Sequence, residues 1–234
     1  MNFKITLPGL AVFTWMSCSI YAQETVKIVG EMKNVMWKGE LHGNINLDTI
    51  ANKTNLYGLG PLEYLAGEVL IMDGKSYKST VVSNTTMKVE QTYDIKAPFF
   101  GYVNIAKWKE QTLPDSVRTI QQLEQYLEAV TNSSEPFMFK LSGTVEKASI
   151  HIVNLPKGAK VSSPDDAHKG QKTYKLKNEQ SEIIGFFSTK HQAIFTHHDT
   201  YLHMHLITSD RQKMGHLDSV LFEKGTIKLY LPAE

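Results

Sequence analysis

Two histidines one residue apart open the chemical reading of this chain: His203 and His205 in Tyr201-Leu202-His203-Met204-His205-Leu206-Ile207. The run alternates as a strand does, and residues two apart on a strand share a face, so both imidazoles point one way while Leu202, Met204 and Leu206 point the other. A turn-like stretch, Thr208-Ser209-Asp210-Arg211, follows, and His216 comes eleven residues after His205, just behind Gly215. A hairpin return would lay this third imidazole over the same face. Three neutral imidazoles with an open fourth position form a catalytic zinc site, in which the ion acts as a Lewis acid. The alternative is that each is a polar side chain on a sheet surface or a satisfied donor in the core. His197 and His198 are adjacent and face opposite sides of any strand, and with His42, His168 and His191 they read as surface residues.

The elements that must position these groups are mostly strands. Residues 24–50 carry short alternations such as Val26-Lys27-Ile28-Val29, followed by turns at Gly39 and Gly43. Val69-Leu70-Ile71-Met72 reads as a buried strand ended by the Asp73-Gly74 turn, with Ser76 to Val82 returning antiparallel. Between Asp115 and Val130 apolar residues recur at helical spacing, at Val117, Ile120, Leu123, Leu127 and Val130, and Asp115 or Ser116 is the expected N-cap. A polar stretch, Thr131 to Pro136, then separates residues 23–135, a β-rich part with the helix, from residues 136–234, a β part carrying the histidines. The second part holds strand-like runs at Phe137–Leu141, Ala148–Val153, Ser181–Thr189, Ala193–His197, Tyr201–Ile207, Val220–Phe222 and Thr226–Leu231, with a polar loop around Ser162 to Lys172. The expected fold is α+β, two mixed or antiparallel sheet subdomains with one main helix packed between or beside them.

Composition excludes some functions. Lys plus Arg number 25 against 24 Asp plus Glu, a net charge of +1, and no helix or stripe gathers basic residues, so a nucleic-acid footprint is absent. Lys4, the apolar Leu10–Met16 stretch and Ser19-Ile20-Tyr21-Ala22 read as a signal peptide over residues 1–22, cut after Ala22. No later segment approaches a membrane span. Export to the periplasm or medium is therefore expected, with lipid anchoring at Cys18 the less favoured alternative because Trp15 sits where a lipobox prefers a small aliphatic residue. Cys18 is the one cysteine, so a chain cut after Ala22 forms no disulfide.

The string Tyr201-Leu202-His203-Met204-His205-Leu206, then Ser209-Asp210-Arg211, then Gly215-His216 resembles the metal-binding segment of the alpha-acetolactate decarboxylases. A second match lies upstream, where Tyr57-Gly58-Leu59-Gly60 and Leu65-Ala66-Gly67-Glu68-Val69-Leu70-Ile71-Met72-Asp73-Gly74 resemble the family's glycine-rich segment and its Gly-Glu strand. The resemblance implies zinc held by His203, His205 and His216, with Glu68 beside it. It implies decarboxylation of 2-acetolactate, or a related 2-hydroxy-3-keto acid, to acetoin and carbon dioxide. In that chemistry zinc chelates the substrate's hydroxyl and carbonyl oxygens, and an acid, for which Glu68 is the candidate, protonates the enediolate. A homodimer is a further expectation from the family.

Two departures qualify the resemblance. Where the family carries an arginine for the substrate carboxylate, counting from Gly143-Thr144 gives His151, and a neutral imidazole lacks arginine's bidentate fork. Alternation in Ser149-Ile150-His151-Ile152-Val153 turns His151 toward the cleft if Ile150 and Ile152 pack in the core. The family also continues to a second active-site glutamate, whereas this sequence ends at Glu234, eighteen residues after His216; Glu234 or Glu223 would substitute, or the role is vacant. The competing reading is an exported member that keeps the metal site but has lost decarboxylation and binds a small ligand or a partner.

Overall fold

The computed structural model describes residues 25–131, 135–196 and 200–233. The expected signal peptide with Cys18, and also His197, His198 and Glu234, lie outside the described residues. In chain order the elements are β1 (Lys27–Val29), α1 (Met32–Lys38), β2 (Ile45–Asn46), β3 (Leu56–Pro61), β4 (Glu68–Met72), β5 (Lys75–Val81) and β6 (Met87–Gln91). Then come β7 (Lys96–Ala97), β8 (Phe100–Asn104), β9 (Trp108–Thr112), α2 (Ile120–Thr131), β10 (Phe137–Ile152) and α3 (Pro164–Ala167). Finally come β11 (Lys172–Phe187), β12 (Leu202–Thr208), β13 (Met214–Phe222) and β14 (Lys228–Pro232). Among the described residues no helix is long and apolar enough to cross a membrane.

Two six-stranded sheets dominate, in the orders β1-β8-β3-β4-β5-β6 and β11-β12-β13-β10-β14-β9. Neighbouring strands in both run antiparallel, so the expected α+β class of antiparallel sheets with one main helix is what the chain adopts. The strand β9, which precedes α2, joins the second sheet by pairing with β14. The hairpin of β4 and β5 turns on Asp73 and Gly74, both at positive φ (49° and 71°), the conformation a two-residue primed turn demands and Asp-Gly supplies. That turn fixes the register of β4, and hence the place of Glu68.

At β12 the second sheet is buried on both faces. Alternation along β12 sends Leu202, Met204 and Leu206 into a core shared with Leu123 and Leu127 of α2, and each fully buried leucine there contributes about 1.5–3 kcal/mol relative to exposure. The opposite parity, with Ile207, faces the first sheet through Ile184, Phe186, Leu59, Leu70 and Tyr57. The order of layers is therefore first sheet, second sheet, helix, and the histidines of β12 lie in the inter-sheet layer.

Three local expectations are corrected. The main helix begins at Ile120, not Asp115, because Asp115 accepts from the Gly225 amide at 2.9 Å while Thr119 and Gln122 form the reciprocal cap: Thr119 Oγ1 accepts from the Gln122 amide and Gln122 Oε1 from the Arg118 and Thr119 amides. The 24–50 region, expected as strands, contains α1, whose Met32, Val35 and Met36 form one buried stripe. Ala193 to Thr196 is a tight turn rather than a strand, with Ala193 at φ 58°. Its carbonyls have another use, since Met32 and Lys33 at the start of α1 donate their backbone amides to Ile194 and Ala193 at 2.7 and 2.8 Å, satisfying two of the four orphan donors every helix start leaves.

Candidate metal centre

The register of the second sheet assembles the histidines. In the β12–β13 hairpin His205 stands directly opposite His216, and His216 stands directly opposite His151 on β10. One row of three imidazoles therefore crosses three adjacent strands, and His203 adds a fourth two residues along β12 on the same face. Ring centroids lie 5.2 Å apart for His203 and His205, 5.2 Å for His203 and His216, and 5.7 Å for His205 and His216. His151 stacks on His216 at 4.6 Å. The approach of β13 to β10 requires Gly215, where a Cβ would sit 2.5 Å from the His151 carbonyl oxygen.

Hydrogen bonds settle which ring edges face inward. His203 Nδ1 lies 2.8 Å from the Phe195 carbonyl oxygen, which can only accept, so Nδ1 carries the proton and Nε2 the lone pair. His205 is fully buried, and neither of its ring nitrogens has a hydrogen-bond partner of ordinary geometry; the Val69 backbone exerts a weak hydrogen-bonding pull that raises its pKa. Burial first, then the neighbouring His203, His216 and His151, push its pKa well below the ordinary value, so it is neutral. Glu68, brought from β4 of the other sheet, sets Oε2 3.6 Å from His205 Nε2 and Oε1 3.9 Å from His151 Nε2, and Oε1 accepts from the Val153 amide at 3.1 Å. Burial pushes the Glu68 carboxyl up to about 7 even though His151 and the Val153 amide pull it down.

His151 is itself buried, with Ile150 and Ile152 in the core behind it, as the alternation of β10 implies. Its Nδ1 lies 2.5 Å from Asp218 Oδ1, and His216 Nδ1 lies 3.4 Å from the same oxygen. Burial alone would lower the His151 pKa; the Asp218 hydrogen bond and the charges of Glu68 and Asp218 outweigh it and hold the imidazole above its ordinary value. Asp218 is held well below the usual carboxylate range: its burial, which acts upward, is outweighed by His151 and His216. Sequence reasoning missed Asp218. It follows His216 by two residues, and it falls where the β13 register slips between Leu217 opposite Ile150 and Ser219 opposite Ser149, a bulge that re-aims the side chain. Among the described residues the group whose ligand atoms lie within 4.8 Å of one another is His151, His216 and Asp218.

His168, expected at the surface, lines the same cleft and meets His151 edge-on with centroids 6.1 Å apart. The cleft holds about 530 Å³, open solvent at its mouth included, and Met32, Met36, Trp37, Leu65, Phe99 and Val153 form its apolar walls. Glu223 is not part of it: it follows β13 and donates its amide to the Thr144 carbonyl, seven residues and roughly 23 Å of strand from His216.

The residues present fit a metal ion. With metal–nitrogen bonds near 2.1 Å at tetrahedral angles, three coordinating imidazoles have centroids roughly 5 Å apart, the separation that His203, His205 and His216 show. Burying the His205 imidazole without a hydrogen-bond partner is costly, because buried polar groups are nearly always satisfied, and an ion would satisfy one of its two nitrogens. The Phe195 carbonyl orients the His203 ring, the kind of contact that commonly supports metal-binding histidines.

This centre, held between two antiparallel sheets, belongs to a recognisable class. A family model described as alpha-acetolactate decarboxylase matches residues 30–232, and the chain belongs to that family. Among its relatives, the alpha-acetolactate decarboxylase of Brevibacillus brevis is 25% identical over 198 residues, 84% of this chain and 66% of that one. The chain thus spans just under two thirds of that relative. The Lactococcus lactis subsp. cremoris enzyme is 24% identical over 179 residues, 74% of this chain and 70% of its own. The fold is similar to the crystal structure of acetolactate decarboxylase from Bacillus subtilis subspecies spizizenii, with a TM-score of 0.73 at 20% identity, covering 90% of this chain and 86% of that one.

Proposed function

We propose that this chain is an exported zinc-dependent decarboxylase of 2-acetolactate or a closely related 2-hydroxy-3-keto acid, yielding acetoin and carbon dioxide. The observation that carries the reading is the cluster of His203, His205 and His216, with ring centroids 5.2 to 5.7 Å apart, in which the buried His205 ring has no hydrogen-bond partner and the Glu68 carboxyl lies 3.6 Å from its Nε2. Those three histidines would hold the ion, and when bound it supplies a Lewis acid for the oxygens of the reactant. Imidazole donors suit zinc, though copper, nickel or iron would also accept them.

The chain's own groups do the rest. Glu68 is the candidate proton carrier: its carboxyl titrates near neutrality, from where a bound cation draws it downward, and it touches both the cluster and His151. The Val153 amide fixes its orientation. His151, clamped at Nδ1 by Asp218, turns Nε2 toward the cleft, where the family's arginine would meet the carboxylate. The apolar walls exclude water from the reacting centre, which strengthens every charge interaction inside.

The replacement of that arginine by His151 favours a second reading, in which the chain keeps metal and fold but binds a small ligand without turning it over. Metal analysis of the purified protein, together with an acetoin assay on acetolactate, separates the two. Stoichiometric zinc with acetoin release supports the enzyme, zinc without turnover supports the binding protein, and the absence of bound metal after zinc loading refutes both.

A further inference from the structure

A metal-binding imidazole gives one nitrogen to the ion, and the group that its other nitrogen meets decides the tautomer and the direction of the ring. In the cluster, His203 has the Phe195 carbonyl for that purpose, 2.8 Å from Nδ1. His216 has Asp218: its Nδ1 lies 3.4 Å from Asp218 Oδ1, and the same oxygen lies 2.5 Å from Nδ1 of His151. Asp218 is ionised, since His151 and His216 hold its carboxyl well below the usual range, and an ionised carboxylate can only accept. Both Nδ1 atoms therefore carry protons. Nε2, on the opposite edge of each ring, is left for other partners, and that of His151 lies 3.9 Å from Glu68 Oε1.

Asp218 reaches the rings from behind. Among the described residues that line the cleft it does not appear; it lies instead on a second cavity of about 580 Å³, open solvent included, whose walls include Ile120 and Gln121 of α2 and Leu202 and Met204 of β12. His216 lines both spaces, so it stands between them. The β12–β13 ladder ends at His205 opposite His216, while β13 runs on along β10 with Asp218 unpaired at the bulge. A bulge residue is released from ladder geometry, which here brings one carboxylate to imidazoles on two strands. A group on the far side of the rings acts on a ligand in the cleft only through those rings.

We propose that Asp218 is a positioning residue of this site, one oxygen of which orients two imidazoles at once: His216, so that Nε2 meets the metal, and His151, so that Nε2 meets what enters the cleft. The inference rests on the reading of His203, His205 and His216 as metal ligands. It makes the hold on the ion and the set of the cleft wall depend on one side chain, because the two rings share an acceptor and stack at 4.6 Å.

The test joins zinc affinity of the full chain, read by chelator competition, with the tautomers of His151 and His216, read from the Cδ2 carbon chemical shifts of the metal-free protein at alkaline pH. Asp218→Ala should weaken zinc about 10- to 100-fold, the usual cost of losing the outer partner of a ligand, and should shift both rings toward the tautomer protonated at Nε2, a cooperative melt confirming the fold. Asp218→Asn, whose Oδ1 still accepts, should recover part of both effects. Ser219→Ala, an exposed position at the same bulge, should leave zinc affinity within about twofold. Unchanged zinc affinity or unchanged tautomers in Asp218→Ala, or an equal loss in Ser219→Ala, overturns the positioning role. Complete loss of stoichiometric zinc in Asp218→Ala makes Asp218 a ligand itself and overturns that role too. A wild-type chain that binds no zinc overturns the metal reading and this inference with it.

Discussion

Replacing Gly215 with alanine probes whether the closeness of β10 and β13, which seats His151 against His216, supports the proposed metal cluster. The new Cβ would lie 2.5 Å from the His151 carbonyl oxygen, where ordinary contact begins at 3.4 Å. The obstacle is backbone, which cannot swing aside, so the two strands must part by roughly 0.5–0.9 Å at the His151–His216 pair. The three proposed ligands all lie on β12 and β13, so the parting acts on them through His151, which stacks on His216, and disturbance of the groups supporting a ligand typically lowers affinity about 10- to 100-fold. Overpacking of this kind also costs about 1–3 kcal/mol, a drop of several degrees, roughly 2–12 °C, for a chain of this size. Zinc affinity is read by competition against a chromophoric chelator, and stability by a thermal melt of the metal-free protein. A Gly215→Ala protein that binds zinc as wild type does and melts within about 1 °C of it would refute the link between strand spacing and the site.

Other perturbations isolate single groups. His205→Ala should abolish stoichiometric zinc after dialysis, measured by mass spectrometry, since two imidazoles hold a tetrahedral site far less well than three. In metal-stripped protein Glu68→Gln should be more stable than wild type at pH 8, by about 3 kcal/mol for a carboxyl raised from 4.5 to about 7. That advantage should disappear as pH falls through 7 toward 4.5, because protonation stabilises the wild-type folded state over that window; a pH-independent difference in denaturation midpoints would contradict the assigned burial. His151→Arg is the informative exchange for turnover: if wild type is inactive on acetolactate and the variant releases acetoin, the arginine role had lapsed. If wild type is active and His151→Ala is not, the imidazole has assumed that role, whereas equal activity in wild type and His151→Ala removes His151 from the site.

His203, His205 and His216 were legible because period-two alternation and an eleven-residue return are purely local, and a hairpin converts them into the facing pair His205 and His216 without further information. Glu68 and His151 were legible only through resemblance, since nothing local says that β4 of one sheet faces β10 of the other. Asp218 carried a usable signal, its i+2 relation to His216, but the bulge that turns it to His151 is a property of the strand pairing. His168 carried none: it reaches the cleft because α3 docks against α1. The start of α2 at Ile120 is encoded in Thr119-x-x-Gln122, but Asp115 offers a cap of the same chemistry five residues earlier, and only the fold commits it to the Gly225 amide. Ile194-Phe195 imitated a strand because a buried turn needs apolar side chains as much as a strand does.

That turn has a consequence for motion. Consecutive carbonyls of Ala193, Ile194 and Phe195 accept from Lys33, Met32 and His203 respectively, so a single stretch of three peptides is shared by the cap helix that walls the cleft and by an imidazole at its floor. Any ligand that steadies the His203 ring steadies Phe195 and, through the neighbouring peptides, the first turn of α1. By linkage, an opening of α1 must weaken that ligand by the same free energy with which the ligand resists the opening. Hydrogen exchange at the Met32 and Lys33 amides therefore serves as a remote gauge of occupancy at the centre, slowing when it is filled and quickening when it is emptied.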